Sequence, residues 1–173
     1  MLKIEGEVKI TKEQIDSAVQ ALAEEIAGRY RNGVTILGVL RAASPLVNAL
    51  GAILERKGVI HTIGWIGAKS FEGEDRTQKF VIYDPPSAHL THKKPVILLD
   101  TICDSGSTLQ KVGSFLVKGQ WRPRTIEVAS LICALDPIPP WMQPSYVGFQ
   151  IPKDHLFLIG YGLDYNDKYR DLE

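Results

Sequence analysis

The chain has little of what would place it in a membrane or outside the cell. Only two of its 173 residues are cysteine, Cys103 and Cys133, too few for a disulfide framework. Both read as small packing residues rather than nucleophiles. No apolar run approaches the length of a membrane span. The opening segment, MLKIEGEVKITKEQ, lacks the apolar core of a secretory signal. We therefore expect a cytoplasmic protein with no membrane partner. Neither sign of charge is in excess, with 20 Lys plus Arg against 20 Asp plus Glu. No basic face is implied, so nucleic acid is not an expected partner. Lys93-Lys94 and the pair Arg122 and Arg124 read as solvated loops. The four histidines, His61, His89, His92 and His155, show no metal-ligand spacing. There is no Gly-Lys-Ser/Thr phosphate loop and no GxGxxG, so neither a Walker site nor a dinucleotide fingerprint is present.

What is present points to one core. Hydrophobic residues make up 45% of the chain, enough for a single domain over residues 1–173. Thr11-x-x-Gln14 is a capping box. Ile15, Ala18, Val19, Leu22 and Ile26 follow at helical spacing, and Arg31-Asn32-Gly33 ends that helix. A strand over Val34–Val39 leads to Ser44-Pro45, read as N-cap and first residue of a helix reaching about Lys57. Further strands are expected at Val59–Ile66, Lys79–Tyr83 and Ile126–Cys133, the last long core strand. Asp84-Pro85-Pro86-Ser87 forces a turn, and Pro137, Pro139, Pro140 and Pro144 make an irregular connection. Strands alternating with helices predict an α/β domain with a mostly parallel sheet flanked by helices.

The richest stretch is VILLDTICDSGST, Val96 to Thr108. Four apolar residues, bounded by polar ones, suit a strand buried on both faces. Leu109, Val112, Phe115 and Leu116 then line one face of a helix. The segment between joins a strand's carboxyl end to a helix's amino end, where open α/β sheets bind ligands. Backbone N–H groups and the helix dipole favour a phosphate there, and Ser and Thr hydroxyls add donors. Two nearby carboxylates are left for sugar hydroxyls, a metal or a proton. The same string also describes an ordinary βα turn.

As a whole the string resembles the 5-phosphoribosyl 1-pyrophosphate (PRPP) signature of type I phosphoribosyltransferases. Asp100 takes the first acid position, Thr101 stands where the second acid belongs, and Asp104 takes the third. The resemblance gives Asp104 through Ser105, Gly106, Ser107 and Thr108 the ribose 5′-phosphate. It puts Asp100 and Thr101 on the ribose and metal side, and makes Asp104 the group that takes a proton from the incoming base. The run Val147–Pro152, then GYGLDYN at Gly160–Asn166 and YRDL at Tyr169–Leu172, looks like the closing segment of hypoxanthine-guanine phosphoribosyltransferases. That likeness implies that Phe157 stacks on a purine and that Leu158 reads the base edge through its backbone. It also implies that Asp164 is a magnesium ligand beside Asp100, and that Arg170 contacts pyrophosphate. For Tyr161, Leu163 and Tyr165 the alternative is plain core packing, and for Asp164 and Arg170 a surface ion pair. Leu40-Arg41-Ala42 resembles the family's pyrophosphate loop, often reached through a cis peptide, with Arg41 as the basic residue. Lys69-Ser70-Phe71 and the polar run after it resemble the mobile loop that closes over the reacting centre. The alternative is a polar hairpin turn.

The implied fold is the type I phosphoribosyltransferase fold, with a core over about residues 1–133 and a small C-terminal hood over about 134–173. The implied reaction displaces pyrophosphate from PRPP by a base nitrogen, with Mg²⁺ as cofactor. PRPP, a purine base, pyrophosphate and a nucleoside monophosphate are the expected partners, in a homodimer or homotetramer. Three positions depart from the pattern. Thr101 replaces an acid, although its hydroxyl can still bond a sugar. Phe71 replaces a tyrosine. Ala134 stands where the 6-oxopurine enzymes carry a lysine after the strand Val128–Cys133, and either Lys153 or Gln150 is a possible substitute donor. Two readings follow. One is an active purine phosphoribosyltransferase, with hypoxanthine or guanine as base. The other is a PRPP- or nucleotide-binding regulator of the same fold with weak or no catalysis.

Overall fold

The parallel sheet grows from strands that are apolar on both faces. In the computed structural model, residues 9–72, 78–135, 143–152 and 157–172 are described. Strand β1, Val34–Leu40, is buried along nearly its whole length. Strand β4, Pro95–Cys103, is buried over Val96–Leu99 and again at Thr101 and Cys103. With β2 (His61–Glu72), β3 (Gln78–Asp84), β5 (Thr125–Leu135) and β6 (Tyr146–Pro152), these form one six-stranded sheet in the order β3-β2-β1-β4-β5-β6. Every pairing is parallel except the β2–β3 ribbon at one edge.

Both faces are covered. Helix α1, Lys12–Arg29, starts in the expected capping box, with Thr11 accepting from the Gln14 N–H and Gln14 accepting from the Thr11 N–H. Its Val19, Leu22 and Ile26 join Leu46, Leu50 and Leu54 of α2 (Ser44–Arg56) over Ile36, Ile97 and Leu99. Helix α4, Ser107–Leu116, covers the opposite face, with Leu109, Val112 and Leu116 against Leu37, Val96 and Leu98. Ile36 with Leu37, and Ile97 with Leu98, thus point to opposite sides of the sheet, as the two-residue strand period requires. A fully buried aliphatic side chain of this kind contributes about 1.5–3 kcal/mol relative to exposure. The short helix α3, Ala88–Thr91, follows the proline turn.

The elements differ from the sequence expectation at several ends. Strand β4 runs on through Asp100 and Thr101 to Cys103 rather than stopping at Leu99. Ser44 is the first helical residue of α2 and not its N-cap, which is Ala43. Its hydroxyl turns back to donate to the Arg41 carbonyl at 2.9 Å. Lys69, Ser70 and Phe71 belong to β2, facing Val81, Phe80 and Lys79 across an antiparallel ladder. These three residues are thus strand, and the polar run at 73–77, where either a turn or a mobile loop was expected, lies outside the described residues. Tyr146–Pro152 pairs in parallel with β5 and forms an edge of the main sheet, so the sheet extends into the segment assigned to the hood. Cys103 and Cys133 are both buried and free, facing each other in the β4–β5 register.

Candidate active site

The carboxyl ends of β1 and β4 deliver the candidate residues to one edge of the sheet. After β4 the chain passes through exposed Asp104 and Ser105 to Gly106. Gly106 adopts a left-handed conformation, φ +70°, ψ −4°, which lets the chain turn straight into α4. It is the N-cap and has no side chain to bond the first turn. The first N–H groups of a helix have no partner within it, so this end offers backbone donors and the positive end of the dipole to an anion. Ser105, Ser107 and Thr108 border it with hydroxyls, and the Ser105 hydroxyl itself accepts from the Ser107 N–H at 3.4 Å.

Asp100 and Thr101 part company at the end of β4. An Asp100 carboxylate oxygen accepts from the Thr101 N–H at 2.8 Å. Enclosure pushes its pKa up to about 7, against a smaller lowering by that hydrogen bond. Thr101 is fully buried, and its hydroxyl donates to the Ala42 carbonyl at 2.8 Å. The expected contact between this hydroxyl and a sugar is not what the side chain makes. It faces the start of α2, continuing the side of Ile97 and Leu99.

The loop between β1 and α2 holds Arg41 and Ala42 at the same edge. The Leu40–Arg41 peptide is cis, at the point where the family resemblance implied it. Three consecutive interactions tie the loop inward: Ala43 N–H to Val39 O at 3.2 Å, Ser44 N–H to Arg41 O at 3.2 Å, and Thr101 to Ala42 O. Arg41 itself is exposed.

The C-terminal segment folds onto this loop. Gly160 and Leu163 pair in a tight turn, Tyr161 N–H donates to Leu172 O at 2.7 Å, and Gly162 N–H donates to Arg170 O at 2.8 Å. Gly162 sits at φ +93°, and a Cβ there would fall 2.0 Å from the Ala42 carbonyl oxygen. Only glycine allows this approach of backbone to backbone. Arg170 donates to the Gly162 carbonyl at 2.7 Å and lies 2.6 Å from an Asp164 oxygen and 3.4 Å from an Asp167 oxygen. The surface-pair alternative for Asp164 and Arg170 thus describes their present contact, although both are about three-quarters buried. Phe157 is 69% exposed, and its ring meets Tyr165 edge-to-face at 5.6 Å. Leu158 is half-buried against the core, as is Tyr161. Of the aromatics weighed as core packing, Tyr161 fits and Tyr165 does not, being 45% exposed beside Phe157.

Lys69 is exposed on β2. Ala134 is buried on β5 and pairs with Ile151, so no donor rises from that position. Gln150 is exposed one position earlier on β6, and Lys153 lies outside the described residues. Two contacts of the site have no local signal in the sequence: the packing of Gly162 on Ala42 and the bond from Thr101 to the Ala42 carbonyl both join residues far apart in the chain.

A parallel α/β sheet with an anion-ready helix start, two loops and a folded-over tail at its carboxyl edge is the arrangement in which open α/β proteins bind their ligands. The chain belongs to the phosphoribosyl transferase domain family, whose profile matches residues 10–166. A hypoxanthine-guanine phosphoribosyltransferase of Mycobacterium tuberculosis is 28% identical over 96% of this chain and 84% of its own length. The human hypoxanthine-guanine phosphoribosyltransferase is 34% identical, over 64% of this chain and 49% of its own length. Among solved structures, a hypoxanthine-guanine phosphoribosyltransferase of Bacillus anthracis, with a HEPES molecule in its active site, superposes with a TM-score of 0.82. It is 27% identical, covering 96% of this chain and 93% of its own. All three relatives carry the names of enzymes, which does not favour the binding-only reading.

Proposed function

We propose that the protein transfers the 5-phosphoribosyl group of PRPP to a purine base, hypoxanthine or guanine, in purine salvage. Pyrophosphate and a nucleoside monophosphate are the products. The observation that carries this reading is the meeting of three segments distant in sequence. The ends of β4, the Arg41–Ala42 loop and the Gly160–Leu172 tail join through Ala42, which is bonded by Thr101 and packed under Gly162. The amino end of α4, with Ser105, Ser107 and Thr108, holds the 5′-phosphate and aligns the ribose, which lowers the entropic part of the barrier. Arg41, the Ala42 backbone and Arg170 receive the leaving pyrophosphate. Phe157, held edge-on by Tyr165, offers a face on which a planar base stacks, and the Leu158 backbone reads its edge. Asp104, exposed at the mouth of the loop, takes the proton that the base nitrogen loses as its bond to ribose C1 forms. Lys69, Ser70 and Phe71, on the β2–β3 ribbon, form the base of the cover that excludes water.

Mg²⁺ fits this donor set. Hard carboxylate oxygens of Asp100 and Asp164 are the kind that such an ion accepts, one or two at a time, along with substrate phosphates. When bound, it neutralises charge on the pyrophosphate. Asp164 must then share its oxygens with Arg170, and Asp100 must be ionised, which its enclosure opposes. No described helix is long and apolar enough to cross a membrane. Two free thiols suit a reducing cytoplasm. Assembly as a homodimer or homotetramer belongs to the same proposal.

Release of pyrophosphate from PRPP and Mg²⁺ across a panel of bases tests the reading. Release that requires hypoxanthine or guanine is expected. Release with adenine or uracil alone, or with no base, overturns it.

A further inference from the structure

We propose that Thr101 is a positioning residue for the leaving-group loop: its buried hydroxyl fixes the Ala42 carbonyl and so sets the backbone that receives pyrophosphate. The proposal rests on the assignment of Arg41 and Ala42 to pyrophosphate made above.

Thr101 follows Asp100 on β4, yet its side chain leaves the ligand side altogether. It is fully buried, and its Oγ1 donates to the Ala42 carbonyl at 2.8 Å across a separation of 59 residues. Its neighbours on β4, Asp100 and Ile102, pair with Ser130 and Ile132 of β5, so the sheet ladder steadies the donor. The donor is therefore built into the core sheet, and the acceptor is in a loop.

Two neighbouring carbonyls, one near the end of β1 and one in the loop, are engaged as well. Val39 O accepts from Ala43 N–H and Arg41 O accepts from Ser44. In a trans peptide the C=O and N–H point in opposite directions. With Arg41 O held against Ser44, the Ala42 N–H is turned away from α2. With Ala42 O held by Thr101, the next peptide plane is fixed too. The orientation of the loop's donors thus follows from where its carbonyls are tied, and Thr101 supplies a tie from β4, 59 residues away in sequence.

This gives a physical reason for the departure at position 101. An ionised carboxylate has no proton to donate and would repel a carbonyl oxygen at this distance, whereas a threonine hydroxyl is a donor. An acid here could donate only in its protonated form, whereas the threonine hydroxyl donates at any pH. The same carbonyl lies beneath Gly162, where a Cβ would come within 2.0 Å. Gly162 is in turn held by Arg170 through two hydrogen bonds. Fixing Ala42 therefore also fixes the seat of the tail.

The test compares Thr101→Val, Thr101→Ala and Thr101→Ser in the full chain. Binding of Mg²⁺-pyrophosphate to the wild type, by calorimetry, comes first. No binding there removes the pyrophosphate assignment, and this proposal with it. Given binding, Thr101→Val and Thr101→Ala should each raise the KM for PRPP and the inhibition constant of pyrophosphate about 5- to 10-fold, as loss of one such hydrogen bond implies. The KM for the base should stay within about 2-fold, and Thr101→Ser should restore wild-type values within about 2-fold. Unchanged pyrophosphate inhibition overturns the proposal while leaving the loop assignment intact. A parallel rise in the KM for the base, or a serine variant as impaired as valine, overturns it equally. Loss of fold in both hydroxyl-free variants, reversed by serine, assigns Thr101 to stability alone and also overturns it.

Discussion

Asp164 and Arg170, expected from the sequence to serve a metal and a pyrophosphate separately, hold each other at 2.6 Å. Arg170 also ties down the Gly162 carbonyl at 2.7 Å. Both side chains are about a quarter exposed, so the pair is only partly screened by water. One guanidinium therefore ties Asp164 to the turn of the tail.

Arg170→Ala should lower kcat/KM for PRPP by roughly 10- to 100-fold, as expected for losing charge-assisted hydrogen bonds. Arg170→Lys should recover only part of that loss, because an ammonium cannot span Asp164 and the Gly162 carbonyl with a fork of donors. Full activity in the lysine variant would refute this. Steady-state kinetics with varied PRPP provide the check.

Asp100 gives the account its pH dependence. Burial raises its pKa from 3.8 to about 7, so the folded protein holds this proton across a window where the unfolded chain has lost it. Folding then binds more protons between those values, and stability falls as pH rises from about 4 to about 7. Ligand binding should run the other way, since the ribose and metal contacts proposed for Asp100 need the carboxylate. The kcat/KM for PRPP should therefore rise as pH passes 7. Asp100→Asn, which keeps the shape without the charge, should match the wild type in thermal stability near pH 4. It should exceed the wild type at pH 8 by about 1–2 kcal/mol, roughly 2–8 °C in Tm. It should also flatten the alkaline rise in PRPP binding. Parallel Tm curves for the two proteins from pH 4 to 8 would contradict the shift.

Asp104→Asn removes the proposed proton acceptor but keeps its size. Turnover should fall on the order of 10²- to 10⁴-fold while the KM for PRPP changes little. Pre-steady-state measurement of nucleotide formation tests this. Unchanged turnover takes Asp104 out of the role.

Gly162→Ala places a methyl group against the Ala42 carbonyl, at a φ of +93° that side chains rarely adopt. Strain alone should cost about 1–3 kcal/mol, before any clash. We expect the tail to lift, with lower Tm, faster hydrogen exchange at the Tyr161 and Gly162 amides, and weaker binding of both substrates. Wild-type protection at these amides would show that the approach is not tight.

The sheet, its parallel direction and the helix starts at Thr11 and Ser107 follow from local signals: apolar runs, a capping box and a glycine before a helical stripe. The phosphate loop is legible for the same reason, since one continuous string carries strand, turn and helix. What the sequence does not disclose is pairing across the chain. Thr101 reads as a lost acid because its partner, the Ala42 carbonyl, is 59 residues away. Core packing stays open as an alternative for Tyr165 because nothing local says it will lie beside an exposed Phe157. The Lys69–Phe71 segment reads as loop because its polar continuation outweighs the ladder to β3. Tyr146–Pro152 follows a proline-rich connection, which masks its place at the sheet's edge.

The central claim is transfer to a 6-oxopurine by a site in which Ala134 provides no side-chain donor. Single-turnover nucleotide formation from PRPP and Mg²⁺, run in parallel with hypoxanthine, guanine, xanthine, adenine and uracil, addresses it most directly. The account predicts the nucleotide of hypoxanthine or guanine, formed faster than any other. Nucleotide from adenine or uracil alone, or bound PRPP with no nucleotide from any base, would contradict it.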